Sequence, residues 1–234
     1  MFLLIFLCLI TGFKATAETL PEWFIPLREA IYEQQLTAVE IEPLYHEISN
    51  KAKINLSGDS QYVILSRSEY MMGRAYQFEN KKNEAITHYD EGIKWAEKAL
   101  EIRESSEAWV ILAENISQSC VVRPASYAIA NGLKVEKYAK NALAIDSKNA
   151  AAKFMIAARW VFAPAPFHNY NKGIEMLTAI PDSSNMEKDD MFNVFSSLSY
   201  AYIQKKNSVQ ASQWYSKANE IYPTNKYLKT LNIN

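Results

Sequence analysis

The strongest constraint on the fold is a spacing of small and large residues that recurs along the chain. Counted from residue 191, large residues stand at offsets 4, 7, 11 and 24, small residues at 8, 20 and 27, and a proline at 32. These positions hold Phe195, Leu198, Tyr202, Tyr215, Ser199, Ala211, Ala218 and Pro223. The spacing predicts two antiparallel helices, because small residues let helices approach closely, large ones fill the space beside them, and proline ends the second helix.

Earlier copies of the spacing extend the pattern over most of the chain. One begins near residue 65, has Glu69 at its first large position, and continues with Met72, Gly73, Tyr76, Ala85, Tyr89 and Gly92. An apolar stripe carries its second helix on to Ile102. Two degenerate copies begin near residues 105 and 149, and we expect their extra residues in loops over 121–132 and 163–171.

This pattern resembles the tetratricopeptide repeat (TPR) family. The resemblance implies an all-α fold, a right-handed α-solenoid of TPR helix hairpins, with about four repeats over residues 66–225. Residues 18–56 read as two helices, which we interpret as an N-terminal helical cap, and residues 226–234 as a C-terminal tail. The chain has only 6 Gly and 8 Pro, which favours helices over a turn-rich β fold.

The resemblance also implies a concave groove lined by the first helix of each repeat. Arg67 and Arg74 lie two helical turns apart on this face, where guanidinium groups can hold a carboxylate or a phosphate. The alternative is that Arg74 pairs with Glu114 on the adjacent helix. The candidate ligand or peptide groove consists of Arg67, Tyr70, Arg74, Glu114, Phe154, Phe162 and Tyr200.

The stretch WVFAPAPFHNYNKGIEML, residues 160–177, is the turn of the third repeat, stiffened by two prolines. With the preceding NAAAKFMIAARW it is similar to a group of bacterial envelope TPR proteins that includes a component associated with TRAP transporters. Residues 163–164 and 172–174 keep that pattern, whereas His168 and Asn169 stand where glycines are usual. The resemblance implies periplasmic residence and a role with a small solute.

The loop of this turn supplies a second candidate site. Phe167, His168 and Tyr170 are the residues that could contact a ligand. The alternative is a small satellite core that they form with Trp160 and Phe162. His168 has no second ligand near it in sequence, so we predict no metal site there.

The N-terminus reads as a targeting segment. Phe2 to Phe13 is apolar but shorter than a membrane span, and Ala15-Thr16-Ala17 supplies small residues for cleavage. We therefore predict a signal peptide over 1–17, cleavage before Glu18, export to the periplasm and no transmembrane segment in the mature chain. The bulky Leu7 argues against lipoprotein anchoring through Cys8.

Motifs for catalysis are absent from the sequence, and we predict a protein that is not an enzyme, with no cofactor and no metal. The 25 basic and 26 acidic residues form no long single-sign run, which argues against nucleic acid as a partner. Glu187, Asp189 and Asp190 are interpreted as helix-capping carboxylates. Cys120 is interpreted as an unreactive free cysteine.

Two functions remain open from the sequence. The first is a scaffold in the cell envelope that binds another protein or a peptide through a solvent-open groove. The second is a solute-binding accessory protein of a transport system, of the TRAP-associated type. That function needs an enclosed pocket lined by Arg67, Tyr70, Arg74, Phe154 or the 163–171 loop.

Overall fold

The protein is described by a computed structural model that covers residues 20–231, so the predicted signal peptide at 1–17 lies outside the described residues. A single 3-10 turn at Glu22–Phe24 precedes the first helix. Over this range no β-strand is present, and the prediction of an all-α fold is confirmed. The helices are α1 Ile25–Glu33, α2 Ala38–Asn55, α3 Gly58–Phe78, α4 Lys82–Ile102, α5 Ser106–Val122, α6 Ala125–Ile145, α7 Ala150–Phe162, α8 Tyr170–Thr178, α9 Ile180–Ser183, α10 Lys188–Gln204, α11 Ser208–Ile221 and α12 Lys226–Thr230.

Four helix hairpins follow one another along the chain, namely α3–α4, α5–α6, α7–α8 and α10–α11. Each second helix packs on its own first helix, and the first helices of successive hairpins lie side by side. This arrangement is the helical solenoid that the repeat spacing predicted. The first hairpin begins at Gly58, eight residues before the predicted start of the repeats.

The small residues of the repeat pattern stand where helices touch. A Cβ atom on Gly73 would overlap the ring of Tyr89 on α4. In the last hairpin, the hydroxyl of Ser199 donates a hydrogen bond of 3.0 Å to the backbone oxygen of Ala211. The spacing therefore encodes the close approach within each hairpin, which larger side chains would prevent.

One of the two predicted loops is wrong. Residues 121–132 were expected as a loop, but α6 begins at Ala125 and leaves only two residues after α5. Pro124 at the N-cap position costs no helical hydrogen bond, and the alanines after it favour helix, so Gly132 is accommodated inside α6. The loop before α8 is present at 163–169, as predicted, and two prolines interrupt helix there.

The two N-terminal helices pack against different parts of the solenoid. Helix α2 begins with a capping box between Thr37 and Glu40, and it packs on α3, where a cap would lie. Helix α1 was expected to cap the stack as well, but it lies against α3 and α10, on the side that was predicted to line the groove. Its residues Leu27 and Ile31 belong to one core cluster with Tyr222 and Leu228 from the C-terminal end. The chain's own N-terminus thus joins the first repeat to the last.

A groove filled by the chain's own helix

The centre of the groove is occupied by Tyr32 of α1, which is 1% exposed. Its hydroxyl accepts hydrogen bonds of 2.8 Å from Nη1 of Arg74 on α3 and 2.9 Å from Nδ2 of Asn193 on α10. The guanidinium of Arg74 also lies over the Tyr32 ring, 4.7 Å from its centroid. One side chain of α1 therefore bridges the first and last repeats.

The C-terminal segment holds α1 in place. The Tyr222 ring stacks on Tyr32 with centroids 5.1 Å apart, and its hydroxyl donates to Glu29 at 3.0 Å. Asn225 donates to the backbone oxygen of Tyr32 at 2.6 Å, and Thr224 donates to that of Glu33 at 2.7 Å. These bonds satisfy carbonyl groups at the end of α1 that a short helix leaves without partners.

Ion pairs hold the N-terminal part of α1 against α10. Nη1 of Arg28 lies 3.2 Å from Glu187 and 3.4 Å from Asp189, at the N-terminus of α10. Glu187 and Asp190 form a reciprocal capping box, so the predicted capping role of this acidic run is confirmed. Asp189 lies in the first turn of α10 and pairs with Arg28, a contact that the sequence did not reveal.

Arg67 lies deeper in the groove and is committed to carboxylates. Its Nη2 atom is 2.8 Å from Glu107, and its Nη1 atom is 4.0 Å from Glu114, both on α5. Burial raises the pKa of Glu114 to about 7, with Arg67 only partly offsetting that effect. The pKa of Asp190 is raised as well, by burial and then by the neighbouring Asp189 carboxylate.

The predicted anion site is therefore not open to solvent. Arg67 pairs with Glu107, and Arg74 donates to Tyr32 and to Tyr70 instead of pairing with Glu114. The expectation of an Arg74–Glu114 ion pair is wrong, because α1 places a phenol against the guanidinium. The structure brings Arg67, Tyr70, Arg74 and Glu114 together on one surface, as predicted, but that surface faces α1.

The other predicted residues form a separate aromatic group. Phe162 stacks on Tyr200 with centroids 5.2 Å apart, and His168 stacks on Tyr170 at 4.5 Å. Phe167 is 66% exposed, so the loop does not form the satellite core that was the alternative. Phe154 is partly buried against the cores of α7 and α10.

An open pocket, which no sequence motif indicated, lies beside the C-terminal helix α12. It contains about 850 Å³ of space that is continuous with solvent. It lies between α12, the α3–α4 turn and the end of α5, and a narrower pocket beside it shares Gln34, Phe78 and Lys226. The lining residues are Gln34, Gln77, Phe78, Asn80, Lys82, Val121, Val122, Lys226, Tyr227 and Thr230.

Three further kinds of site were sought among residues 20–231: a metal cluster, an activated thiol and a membrane-spanning helix. Between residues 20 and 231, no three His, Cys, Asp or Glu side chains converge as metal ligands. Burial raises the pKa of the Cys120 thiol, the reverse of what activates a nucleophile. No helix within these bounds is long and apolar enough to span a bilayer.

The stacked hairpins define a helical-repeat protein, and comparison with known families identifies one of the repeats. Residues 67–99 match the model of the tetratricopeptide repeat. The first hairpin therefore carries a tetratricopeptide repeat, as the spacing of small and large residues predicted. The structure of the chain is similar to the crystal structure of YrrB, described as a TPR protein with an unusual peptide-binding site, at 14% identity and a TM-score of 0.38, over 87% of this chain and 95% of that one. No curated protein matches the sequence.

Proposed function

We propose that the protein is an exported, non-enzymatic TPR scaffold of the cell envelope that holds a protein partner outside its groove. The observation that carries this proposal is an apolar stripe on α6. Ile129 and Leu133 are 83% and 71% exposed, and they lie one helical turn apart on the same face. Neighbouring large apolar side chains in solvent are typical of interaction surfaces.

The chemistry of the stripe defines its partner. Lys137 continues the same face one turn beyond Leu133 and is exposed. A partner surface with an apolar centre and an acidic rim matches this arrangement, since aligned opposite charges orient the encounter and apolar area supplies affinity. The groove itself is an unsuitable partner site while Tyr32 and its neighbours occupy it.

Native mass spectrometry of the protein purified from its own host tests the scaffold. We expect a retained polypeptide, and we expect Ile129→Lys with Leu133→Lys to release it. The matched control is Ile54→Lys with Val209→Lys, since these residues are 80% and 67% exposed on other helices. A polypeptide that survives the α6 double substitution would place the partner elsewhere and contradict the proposal.

Export is part of the proposal and has its own test. The apolar run Phe2 to Phe13 followed by Ala15-Thr16-Ala17 supports a cleaved signal. N-terminal sequencing of the mature protein from its host should begin at Glu18. A mature chain that begins at Met1 would contradict export by this signal.

A second candidate function is solute handling, as in the TRAP-associated group. The open pocket beside α12 supports it, because apolar side chains and two lysines line the same concave surface. The same mass spectra would then show a retained small-molecule mass. Arg67 and Arg74 are poor targets for testing this function, since their ion pair and hydrogen bonds stabilise the fold.

A further inference from the structure

We infer that the pocket beside α12 binds a small organic carboxylate with an apolar tail. The inference begins with Gln34, the residue that ends α1 in a left-handed conformation and is 6% exposed. Its Oε1 atom accepts a hydrogen bond of 2.7 Å from the backbone N–H of Lys226, which fixes the orientation of the amide. The Nε2 atom is buried and has no protein partner, although Gln34 lines both pockets.

A buried donor without an acceptor costs free energy, and an anion in the pocket removes that cost. Two lysines supply the matching charge, since Lys82 and Lys226 both line the pocket. Lys226 interacts electrostatically with Glu79, which lines the narrower pocket, but among residues 20–231 neither lysine lies within ion-pair distance of a carboxylate. The nearby Glu79 is held by Lys81 at 2.7 Å and by the backbone N–H of Ala38 at 2.6 Å.

The rest of the wall suits an apolar tail. Phe78, Val121, Val122 and Tyr227 line the larger pocket, with Phe78 38% and Val121 65% exposed. Apolar walls with a few converging polar groups are the usual form of a small-molecule site. The carboxylate belongs beside Gln34 and Lys226, where the two pockets meet, and the tail lies along Val121 and Tyr227.

Titration calorimetry of the full mature protein with octanoate tests the inference, with octylamine as a probe of the same tail and opposite charge. We expect octanoate to bind and octylamine not to bind. Because a charge-assisted hydrogen bond contributes roughly a factor of ten in affinity, Lys82→Met with Lys226→Met should weaken octanoate binding by about tenfold or more. Lys148→Met, an exposed lysine away from the pocket, should leave it unchanged.

A second pair of variants tests the wall. Val121→Asp places a negative charge where the tail lies and should abolish octanoate binding. Val209→Asp, at the matched exposure of 67%, should not change it. Equal binding of both probes, or an affinity unchanged in the double lysine variant or in Val121→Asp, would overturn the inference.

The inference does not depend on the scaffold proposal, and it names the site and ligand class for solute handling. The experiments can contradict the scaffold proposal and the carboxylate inference independently. Loss of octanoate binding leaves partner capture at Ile129 and Leu133 intact, whereas failure of partner capture leaves the calorimetry unchanged.

Discussion

At the residue scale, the small positions of the repeat determine how closely helices pack. Gly73 faces the Tyr89 ring, Gly92 faces the side chain of Asn115, and Gly173 faces Val161. Each contact is so close that a Cβ atom would force a neighbour to move. These three positions belong to three different hairpins or junctions, so the same physical constraint acts along the whole solenoid.

Gly73→Leu should therefore lower the free energy of unfolding by about 1–3 kcal/mol through overpacking against Tyr89. Gly132 gives the control, since a Cβ atom there meets open space within α6. Gly132→Ala should raise stability by roughly 0.5–1 kcal/mol, because alanine is the better helix former. Urea unfolding followed by circular dichroism measures both, and an unchanged midpoint for Gly73→Leu would contradict the repeat register.

The groove carboxylates make stability depend on pH. The pKa of Glu114 is raised by burial to about 7, so the folded state binds more protons than the unfolded state between about pH 5 and 7. The free energy of unfolding should fall as pH rises through this window, with the raised pKa of Asp189 and Asp190 acting in the same direction. Thermal unfolding across pH 5–8 should show that the melting temperature of Glu114→Gln falls less with rising pH than that of the unsubstituted protein. A free energy of unfolding that rises with pH would contradict this account.

At the element scale, α1 occupies the groove as a bound peptide would, although it is part of the same chain. Nine residues are too few to hold a helix in water, so α1 owes its form to its partners in the groove. Tyr32 bonds to α3 and α10, while Asn225 and Thr224 bond to its carboxyl end. A groove that is occupied in this way gives the structural reason to look for partners on α6.

Tyr32→Phe removes one hydroxyl and leaves two half-buried donors, on Arg74 and Asn193, without that acceptor. We expect a loss of about 1–3 kcal/mol in the free energy of unfolding. Tyr62→Phe is the control, since the Tyr62 hydroxyl has no hydrogen-bond partner recorded between residues 20 and 231 and its ring stacks on Trp95. If the two substitutions cost the same, the hydroxyl bridge does not stabilise the fold.

At the scale of the whole molecule, α1 converts an open stack into a closed one. The first and last repeats meet through a helix from outside both, and one core cluster runs from Phe24 through α3 to Leu228. The termini of the described chain thus stabilise each other. Removal of either end should loosen the other, because their contacts are shared.

Deletion of residues 1–36 should lower the melting temperature and increase amide hydrogen exchange in α10 to α12, even though those helices remain in the chain. Deletion of residues 1–17 alone should change neither, since the predicted signal peptide is not part of the mature protein. If the longer deletion increased amide hydrogen exchange only in the first hairpin, α1 would not connect the two ends of the solenoid.

The hairpins could be predicted from local patterns in the sequence. Helix pairs follow from spacings of three to twenty residues, capping boxes such as that of Thr37 lie within four residues, and the prolines of the 163–169 loop act locally. The sequence also predicted that Arg67, Tyr70 and Arg74 share one face, because helical periodicity alone decides that.

The contacts of that face could not be predicted, because they depend on the fold of the whole chain. Tyr32 meets Asn193 across 161 positions of sequence, and Asn225 meets Tyr32 across 193. No local spacing encodes such contacts, since they depend on the summed curvature of four hairpins. The pocket beside α12 has the same origin: Gln34, Phe78, Val121 and Lys226 come from four separate segments, and they meet only because α1 closes the solenoid.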